Sequence, residues 1–451
     1  MKILTVVGAR PNFMKAAPII GAINERNKRV SADFAEDSQY WGRKIEHILV
    51  HTGQHYDEFM SGSFFNDLNL PKPDVHLGIG SGSHAVQTAE IMRKFEGVVC
   101  AERPDVVVVV GDVNSTLACA LVVAKIAFDS SGSRPLIAHV EAGLRSFDMS
   151  MPEEINRILT DHVSDLLLVT EESGLQNLQK EGVCRNKIHF VGNTMIDSLL
   201  SCKEKAEAST ILEDLGLRTH GEANGSGKDI ASYGLLTLHR PSNVDNSETF
   251  MNILGGLEEL EQSCPIIFPV HPRTQRRIRE LGIRFHDEKD MRMAGNGEVA
   301  TGRKTGIVLT NPLGYLDFLC LMKHATIVVT DSGGIQEETT CLGIPCVTVR
   351  ENTERPVTVE RGTNLIAGTS KQVIRQTIQQ QLRRNDSSTV PKNWDGQAAT
   401  RILDILIGTF MSGSLMSSPL DPLLEIDSVA YNLDASQISS EVATKASAIV
   451  P

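Results

Sequence analysis

Short runs of aliphatic residues alternate with polar turns and longer helical stretches along the first half of the chain. Val106–Val110 consists of consecutive valines, a run that only a strand buried on both faces tolerates. Residues 3–7 and 136–140 are similar runs, and each is followed by a turn and a segment with helical periodicity. Strands that alternate with helices in this way predict a parallel sheet covered by helices.

The alternation begins again after residue 230, where further aliphatic runs end at polar residues. Two sets of β/α units predict an α/β protein with two Rossmann-like, doubly wound domains that face each other across a cleft. The charged helical stretch at residues 201–214 is the predicted join. The predicted units are an N-terminal domain at 1–203, a C-terminal domain at 204–372, helices at 373–411 that pack back on the N-terminal domain, and a disordered tail at 412–451.

Residues 326–356 are the most informative segment, because a β-branched run ends in Asp-Ser-Gly-Gly and a helical stretch follows. Gly333 and Gly334 let the backbone turn sharply, and the free N–H groups at a helix start suit a pyrophosphate. Glu338, one turn further in, can reach ribose hydroxyls. A plain strand-to-helix connection also fits the two glycines, but the guanidinium of Arg355 favours a nucleotide diphosphate ligand.

Polar residues collect where predicted strands end, which is the ligand-binding edge of an open parallel sheet. In the first domain these residues are Arg10, Asp112 and Glu141, and in the second they include His239 and His271. Each has a plain alternative role, since carboxylates cap helices and lone histidines are often structural. Their concentration on one edge of both domains favours two carboxylates and a histidine that domain closure assembles for acid/base chemistry.

Charge and composition argue against several classes of partner. A net charge of -12 disfavours a nucleic-acid backbone or an anionic membrane as the main partner. Aromatic residues make up only 5% of the chain, which disfavours platforms for base stacking. No segment is long and apolar enough to span a bilayer, and the first aliphatic run is too short for a signal peptide.

The 8 cysteines contain no CxxC pair, and several lie in aliphatic patterns. We expect buried free thiols in a reducing cytoplasm, without disulfides or a zinc site. His51 and His55 have a spacing that suits one helix face, but a strand ends in a turn there, so they do not predict a metal site. The glycines of residues 78–82 follow no clear strand of a βαβ unit, so they do not predict a dinucleotide site.

Specific motifs occur in order between residue 1 and residue 370. They are GARPNFMKAAP, TGQHYDEFM, VGDVNSTLA, HVEAGLRSFDMSMPEEINR, VGNTMID, LTLHRPSNVDN, FPVHPRT, DSGGIQEE and LGIPCVTVRENTERP. Together they resemble the non-hydrolysing UDP-N-acetylglucosamine 2-epimerases. The resemblance implies two Rossmann-like domains arranged as in GT-B glycosyltransferases, a UDP-binding C-terminal domain, and a cytoplasmic homodimer that needs neither metal nor nicotinamide.

The reaction implied by the resemblance inverts C2 of the sugar and interconverts UDP-GlcNAc and UDP-ManNAc. The C2 proton is not acidic, because no carbonyl lies directly beside it. The family solution is elimination, in which UDP leaves C1 while a base takes the C2 proton and 2-acetamidoglucal forms. UDP adds back after protonation from the other face, so both fragments must stay trapped in a closed cleft.

The resemblance also implies roles for individual residues. The acid/base carboxylates are Asp112, Glu141 and Glu153, and His239 assists at the leaving UDP. The substrate-binding residues are Arg10 and Lys15 at phosphate or sugar, Ser332, Gly333 and Gly334 at the pyrophosphate, Glu338 at the ribose, Phe318 at the uracil, Arg355 at phosphate or sugar, and His271.

Bacterial members of this family bind a second UDP-GlcNAc as an activator, and Gln54 and His55 match that site. Asp57 stands near where a basic residue is often found, which leaves allosteric control open. Leu313 and Ser242 also depart from the family pattern and affect contacts on the uracil side.

Four alternatives share parts of this pattern. A hydrolysing epimerase would let water trap the intermediate and release ManNAc and UDP. A 2-epimerase of a diacetamido-uronic acid UDP-sugar would also fit SFDMSMPEEINR. A GT-B glycosyltransferase would not need Asp112 and Glu141 together, and a non-catalytic UDP-sugar sensor would tolerate their loss. Because the chain retains both carboxylates, the sequence favours an enzyme.

Overall fold

The computed structural model describes residues 1–32, 44–54, 67–218, 230–270, 272–281, 286–287, 306–384 and 389–413. Residues 1–412 cluster as one unit. The predicted tail lies outside the described residues from position 414 onward. Among the described helices, none combines the length and apolar character needed to cross a membrane.

The N-terminal part folds into a seven-stranded parallel sheet with the order β3-β2-β1-β4-β5-β6-β7. Its strands are β1 (Lys2–Val7), β2 (Glu46–His51), β3 (Val75–His76), β4 (Val106–Val110), β5 (Leu136–Ala142), β6 (Leu166–Val169) and β7 (Ile188–Phe190). Its helices are α1 (Arg10–Ala32), α2 (His84–Glu102), α3 (Asn114–Lys125), α4 (Pro152–Val163), α5 (Glu172–Lys180) and α6 (Thr194–Ala206), with a 3₁₀ turn at Arg185–Lys187. The valines of β4 are fully buried, because α1 and α3 both pack against this central strand.

The second sheet is also parallel and has the order β10-β11-β9-β8-β12-β13-β14. Its strands are β8 (Gly234–Thr237), β9 (Pro265–Pro269), β10 (His286–Asp287), β11 (Gly306–Thr310), β12 (Ile327–Thr330), β13 (Cys346–Thr348) and β14 (Asn364–Ile366). The helices are α7 (Ile211–Asp214), α8 (Pro241–Val244), α9 (Ser247–Gly256), α10 (Glu258–Ser263), α11 (Pro272–Glu280), α12 (Tyr315–His324), α13 (Gly333–Leu342), α14 (Val357–Glu360), α15 (Lys371–Arg383) and α16 (Ala398–Ser412). The predicted α/β fold with two doubly wound sheets is confirmed.

Helix α6 packs against helices of both halves, namely α1 on one side and α12 and α13 on the other. Its buried residues Met195 and Leu199 share one hydrophobic core with Met14 of α1 and Leu319 of α12. The two sheets are therefore joined by a continuous apolar core next to the predicted join.

The two C-terminal helices pack on different halves of the molecule. Helix α15 lies against α9 and the second sheet, because Ile374 and Ile378 belong to the same core as Val347 of β13. Helix α16 instead packs on α1 and α6. Asp197 of α6 accepts hydrogen bonds from the backbone N–H groups at the start of α16, including that of Ala399 at 2.7 Å. Of these two helices, α16 packs on the N-terminal half, as predicted. Helix α15 packs on the second sheet instead, because its apolar face lies against that sheet.

All eight cysteines are free thiols. Cys119, Cys202 and Cys264 are among the buried ones, whereas Cys100 and Cys184 are exposed. Burial raises the pKa of the Cys119 thiol well above its usual range. The expectation of buried thiols is therefore wrong for Cys100 and Cys184, which lie outside the apolar pattern of their segments.

Candidate active site

Asp112 follows β4 at the point where the strand order of the first sheet reverses. Arg157 of α4 donates to its Oδ2 from both Nε (3.0 Å) and Nη2 (2.7 Å). Burial alone would raise the pKa of Asp112, but the charges of Arg157, Lys15 and Arg355 outweigh it and hold the pKa below its usual range. Asp112 is therefore an ionised carboxylate at neutral pH.

Glu141 lies in a bulge of β5, since Val140 pairs with Leu168 of β6 while Ala142 pairs with Val169. Its φ of 75° is in the left-handed region, which costs a residue with a side chain about 1–3 kcal/mol. The side chain is 4% exposed and contacts the ammonium of Lys15. The bulge thus turns a buried carboxylate away from the regular strand and onto a buried cation.

Gly111 separates β4 from Asp112 and is required there for two reasons. Its φ is 71°, which an L side chain rarely adopts. A Cβ at this position would lie 2.9 Å from the Lys15 Nζ and 3.4 Å from the Glu141 Oε2. The glycine therefore lets the Lys15–Glu141 pair approach the backbone next to Asp112.

Arg355 of the second half reaches the first half through its guanidinium. Nη2 donates to Glu141 Oε1 at 2.8 Å, and Nη1 donates to Glu354 Oε1 at 2.6 Å. Nε forms an ion pair with Glu337 Oε1 at 2.9 Å. Burial raises the pKa of Glu337 to about 7, against the opposing charge of Arg355. One buried arginine thus joins carboxylates from both sheets.

Glu354 lies among four arginines from both halves. Arg355 and Arg350 donate to it at 2.6 and 2.8 Å, and Arg240 and Arg157 lie 3.7 and 3.9 Å away. Although burial raises the pKa of Glu354, these charges hold it well below its usual range. These guanidinium groups provide a cluster of N–H donors of the kind that binds phosphate oxygens, although Arg355 and Arg157 also pair with other carboxylates.

The start of α13 carries the predicted pyrophosphate loop. Ser332 is the N-cap in an extended conformation, and its side chain makes no capping hydrogen bond. A Cβ on Gly333 would lie 2.5 Å from the Arg355 Nη1, and one on Gly334 would lie 2.8 Å from the Met195 Cε. Gly333 therefore lets the start of the helix approach Arg355, and Gly334 lets it pack on Met195, at a helix N-terminus where an anion is favoured.

Glu338 is buried in α13, and the hydroxyl of Tyr315 donates to its Oε1 at 2.8 Å. Burial raises the pKa of Glu338 to about 7. The charge of Arg10, at the start of α1, partly opposes this shift. The carboxyl group thus lies between the two halves, within the electrostatic reach of Arg10.

His239 follows β8 and its side chain is 60% exposed. Its Nδ1 lies 2.8 Å from Oδ1 of the buried Asp331, which also accepts the backbone N–H groups of His239 and Arg240. Burial raises the pKa of Asp331, but these hydrogen bonds and the histidine outweigh it and hold the pKa low. The ionised Asp331 therefore fixes the orientation of a histidine that remains accessible to a ligand.

Two adjacent glutamates at the start of α4 differ in their surroundings. Glu154 is 1% exposed and accepts the N–H groups of Ser146 and Phe147, at 3.0 and 2.8 Å, together with Arg157 Nη1 at 2.6 Å. Glu153 is only half-buried, and its charge acts on Arg240 of the other half. Glu154 therefore fixes the loop that contains Ser146 and Phe147. The carboxylate of Glu153 stays partly exposed, within electrostatic reach of Arg240 in the second half.

The structure does not bring every predicted site residue together. Phe318 is partly buried against the core around Leu319, without a described contact to the residues above. Gln54 is buried and accepts the N–H and hydroxyl of Ser115 at 2.9 and 2.6 Å, at the start of α3. His55 and His271 lie outside the described residues. Within the part of the chain that is described, no three His, Cys, Asp or Glu side chains form a metal-binding group.

Several residues at this site were not predicted from the sequence. They are Arg157, Tyr315, Asp331, Glu337 and Glu354. Arg157, Asp331, Glu337 and Glu354 all lie inside the motifs quoted above. Tyr315 carries no such signal, because its contact with Glu338 joins two different helices.

Comparisons with known proteins extend over most of the chain. Residues 41–407 match the family described as UDP-N-acetylglucosamine 2-epimerase. The chain is 40% identical over 422 residues to the UDP-N-acetylglucosamine 2-epimerase of Methanocaldococcus jannaschii, covering 90% of this chain and 99% of the relative. It is 36% identical over 409 residues to the UDP-2,3-diacetamido-2,3-dideoxy-D-glucuronate 2-epimerase of Pseudomonas aeruginosa, covering 90% and 99%.

Solved structures give the same result for the fold. The M. jannaschii UDP-GlcNAc 2-epimerase in complex with UDP-GlcNAc and UDP has a TM-score of 0.72 at 39% identity, covering 90% of this chain and 99% of that one. The Neisseria meningitidis UDP-GlcNAc 2-epimerase bound to UDP-GlcNAc also has a TM-score of 0.72, at 28% identity, covering 90% and 100%.

Proposed function

We propose that this chain, which belongs to the UDP-N-acetylglucosamine 2-epimerase family, interconverts UDP-GlcNAc and UDP-ManNAc without net hydrolysis. The observation that carries the proposal is the meeting of Asp112 and Glu141, from adjacent strands of the first sheet, with Arg355 of the second. Acid/base carboxylates and phosphate-binding groups are thereby assembled from two halves around one region.

In the proposed reaction, one carboxylate removes the C2 proton while UDP departs from C1. Asp112 is held ionised by Arg157 and can serve as such a base. After formation of 2-acetamidoglucal, a proton returns to C2 from the opposite face and UDP adds back. Glu141 and Glu153 are the further candidates for these proton transfers, and His239 assists at the departing UDP.

The C-terminal domain is proposed to hold UDP. The pyrophosphate is proposed to bind at the start of α13, at Ser332, Gly333 and Gly334, where Arg355 adds a guanidinium. Glu338 accepts ribose hydroxyls. The Arg355–Glu141 contact joins the two halves, and such closure keeps 2-acetamidoglucal and UDP away from bulk water.

Product analysis tests this proposal against its alternatives. Purified protein is incubated with UDP-GlcNAc, and the products are identified by NMR and chromatography. The proposal predicts UDP-ManNAc in equilibrium with UDP-GlcNAc, without stoichiometric release of UDP. Free ManNAc with UDP would indicate the hydrolysing reaction, and binding of UDP-GlcNAc without turnover would indicate a sensor.

The similarity to the P. aeruginosa enzyme supports a second candidate substrate, a UDP-diacetamido-uronic acid. Such a sugar differs from GlcNAc by a carboxylate and an additional acetamido group. The values of kcat/KM for both UDP-sugars, measured on the same preparation, decide between them. A higher value for the diacetamido sugar would make it the preferred substrate.

We also propose that the protein is a homodimer, on the evidence of α4. Ile155 and Leu159 of this helix are 41% and 44% exposed, whereas its polar residues Asn156 and Arg157 are buried. An outward apolar stripe on an otherwise polar helix fits a contact with a second copy. Light scattering should give a dimer for the wild type and a monomer for Ile155→Lys with Leu159→Lys, and a wild-type monomer would contradict the assignment.

We further propose that the protein is located in the cytoplasm. All eight cysteines are free thiols, as expected in a reducing compartment.

A further inference from the structure

His139 of β5 is completely buried beneath the proposed acid/base carboxylates. Its Nε2 lies 2.8 Å from the carbonyl oxygen of Gly111, the residue before Asp112. Its Nδ1 lies 2.7 Å from Oδ1 of Asp161 on α4. The imidazole therefore links the residue that follows β4 to helix α4. His139 precedes Glu141 by two residues on β5.

The partners of His139 set the direction of one of its hydrogen bonds. A carbonyl oxygen only accepts hydrogen bonds, so Nε2 donates to Gly111. Through Nδ1 the ring shares a hydrogen bond with Asp161, which also forms an ion pair with Arg145 at 2.8 Å and accepts the N–H of Gly143 at 3.1 Å. Burial raises the pKa of Asp161, but His139 and Arg145 outweigh it and hold the pKa low.

The network continues from His139 through Asp161 to Arg145. Arg145 also binds Glu181 through Nε at 2.8 Å and Nη2 at 2.7 Å. The buried carboxylate of Asp161 is therefore paired with a guanidinium, which makes its charge tolerable inside the protein.

The network holds the peptides on which both proposed catalytic carboxylates depend. The N–H of Gly111 donates to the carbonyl of Val140 at 3.0 Å, while its own carbonyl accepts from His139. On the other side of the Glu141 bulge, the N–H of Gly143 donates to Asp161. The backbone before Asp112 is thereby bound to the His139 ring directly, and the backbone after Glu141 is bound to it through Asp161.

We propose that His139 is a positioning residue, which fixes Asp112 through the Gly111 carbonyl and Glu141 through Asp161. It touches neither substrate nor product in this account and acts by setting the separation of the two carboxylates. The inference rests on the proposed epimerase function, since it assigns His139 to the same reaction.

The variants His139→Gln and His139→Phe separate this role from plain packing. Gln keeps a donor near the Nε2 position, whereas Phe fills the space without a donor. A misplaced catalytic group costs about 10²-fold in rate, so kcat of His139→Phe should fall by about that factor, with KM and the Kd for UDP within twofold of wild type. His139→Gln should recover a large part of kcat.

His189 of β7 provides the matched control, because it lies on the same sheet and has no described partner for Nε2. His189→Gln should leave kcat unchanged. In an Asp112→Asn background, His139→Phe should cause a smaller additional loss than in wild type, since only its effect through Glu141 remains. Equal losses in both backgrounds would overturn the proposal.

Nitrogen NMR of ¹⁵N-histidine-labelled wild type gives a readout that does not depend on turnover. A proton on Nε2 of His139 is expected, with the signals assigned by their loss in His139→Gln, and an Nε2 without a proton would contradict the proposal. If the wild type has no epimerase activity, the proposed function fails. If the wild type turns over and folded His139→Phe matches its kcat, the positioning role fails alone.

Discussion

Arg355 and Glu141 are 214 positions apart in the chain, yet Nη2 of the arginine donates to Oε1 of the glutamate at 2.8 Å. The same guanidinium contacts Glu354 and Glu337. A residue proposed to bind the phosphates therefore also touches a residue proposed to move protons. Binding of UDP and the chemistry at C2 are thus physically connected in this protein.

Arg355→Lys tests this connection. Lysine keeps the positive charge but has no planar fork to reach three carboxylates, so we expect kcat/KM to fall by about 10²-fold and UDP to bind more weakly. Kinetics and calorimetry measure the two effects. Arg361→Lys is the control, since Arg361 is half exposed in its pair with Glu172, and it should behave as wild type. Activity of Arg355→Lys within twofold of wild type would refute the connection.

Glu153 and Glu154 form a matched pair with opposite expectations. Glu153→Gln should lower kcat by at least about 10²-fold without changing the melting temperature, because its carboxylate is proposed to transfer protons. Glu154→Gln should lower the free energy of unfolding by about 3 kcal/mol or more, because Glu154 is a buried partner of Arg157. Thermal unfolding and steady-state kinetics of both variants check the assignment, and reversed results would exchange the two roles.

Glu338→Gln tests the ribose contact through its pH dependence. The pKa of Glu338 is raised to about 7, so its carboxylate forms as the pH rises through neutrality and becomes a better acceptor for ribose hydroxyls. The ratio of wild-type to variant UDP affinity should therefore increase between about pH 6 and pH 8. UDP ionises identically in both experiments, so the ratio isolates Glu338. A ratio that is flat with pH would remove the ribose assignment.

The same group predicts a stability effect in the ligand-free protein. The folded pKa lies above the ordinary value of 4.5, so the folded state keeps a proton that the unfolded chain loses first. Its contribution to stability is fully present below about pH 4.5 and is lost as the pH rises towards about 7. Glu338→Gln should gain stability relative to wild type over this window in denaturant titrations, and an opposite trend would contradict the raised pKa.

The sequence was sufficient for the α/β fold, whereas the contacts around the candidate site were only partly predictable. The buried valines of β4 and the alternation of strands and helices predict parallel sheets, and Asp112 and Glu141 could be located at strand ends. The left-handed backbone of Glu141 could not be predicted, because the bulge depends on pairing with β6. Tyr315 on Glu338 depends on the packing of two helices, which periodicity does not encode.

Transfer of the C2 proton is the central claim, and heavy water tests it most directly. Wild-type protein is incubated with UDP-GlcNAc in deuterium oxide, and C2 of both UDP-sugars is examined by NMR, with Asp112→Asn and Glu141→Gln measured in parallel. The account predicts deuterium at C2 of the product, and a loss in each variant of at least about 10²-fold in rate while UDP still binds. UDP-ManNAc formed in deuterium oxide with only hydrogen at C2 would contradict proton exchange with solvent and the roles assigned to these carboxylates.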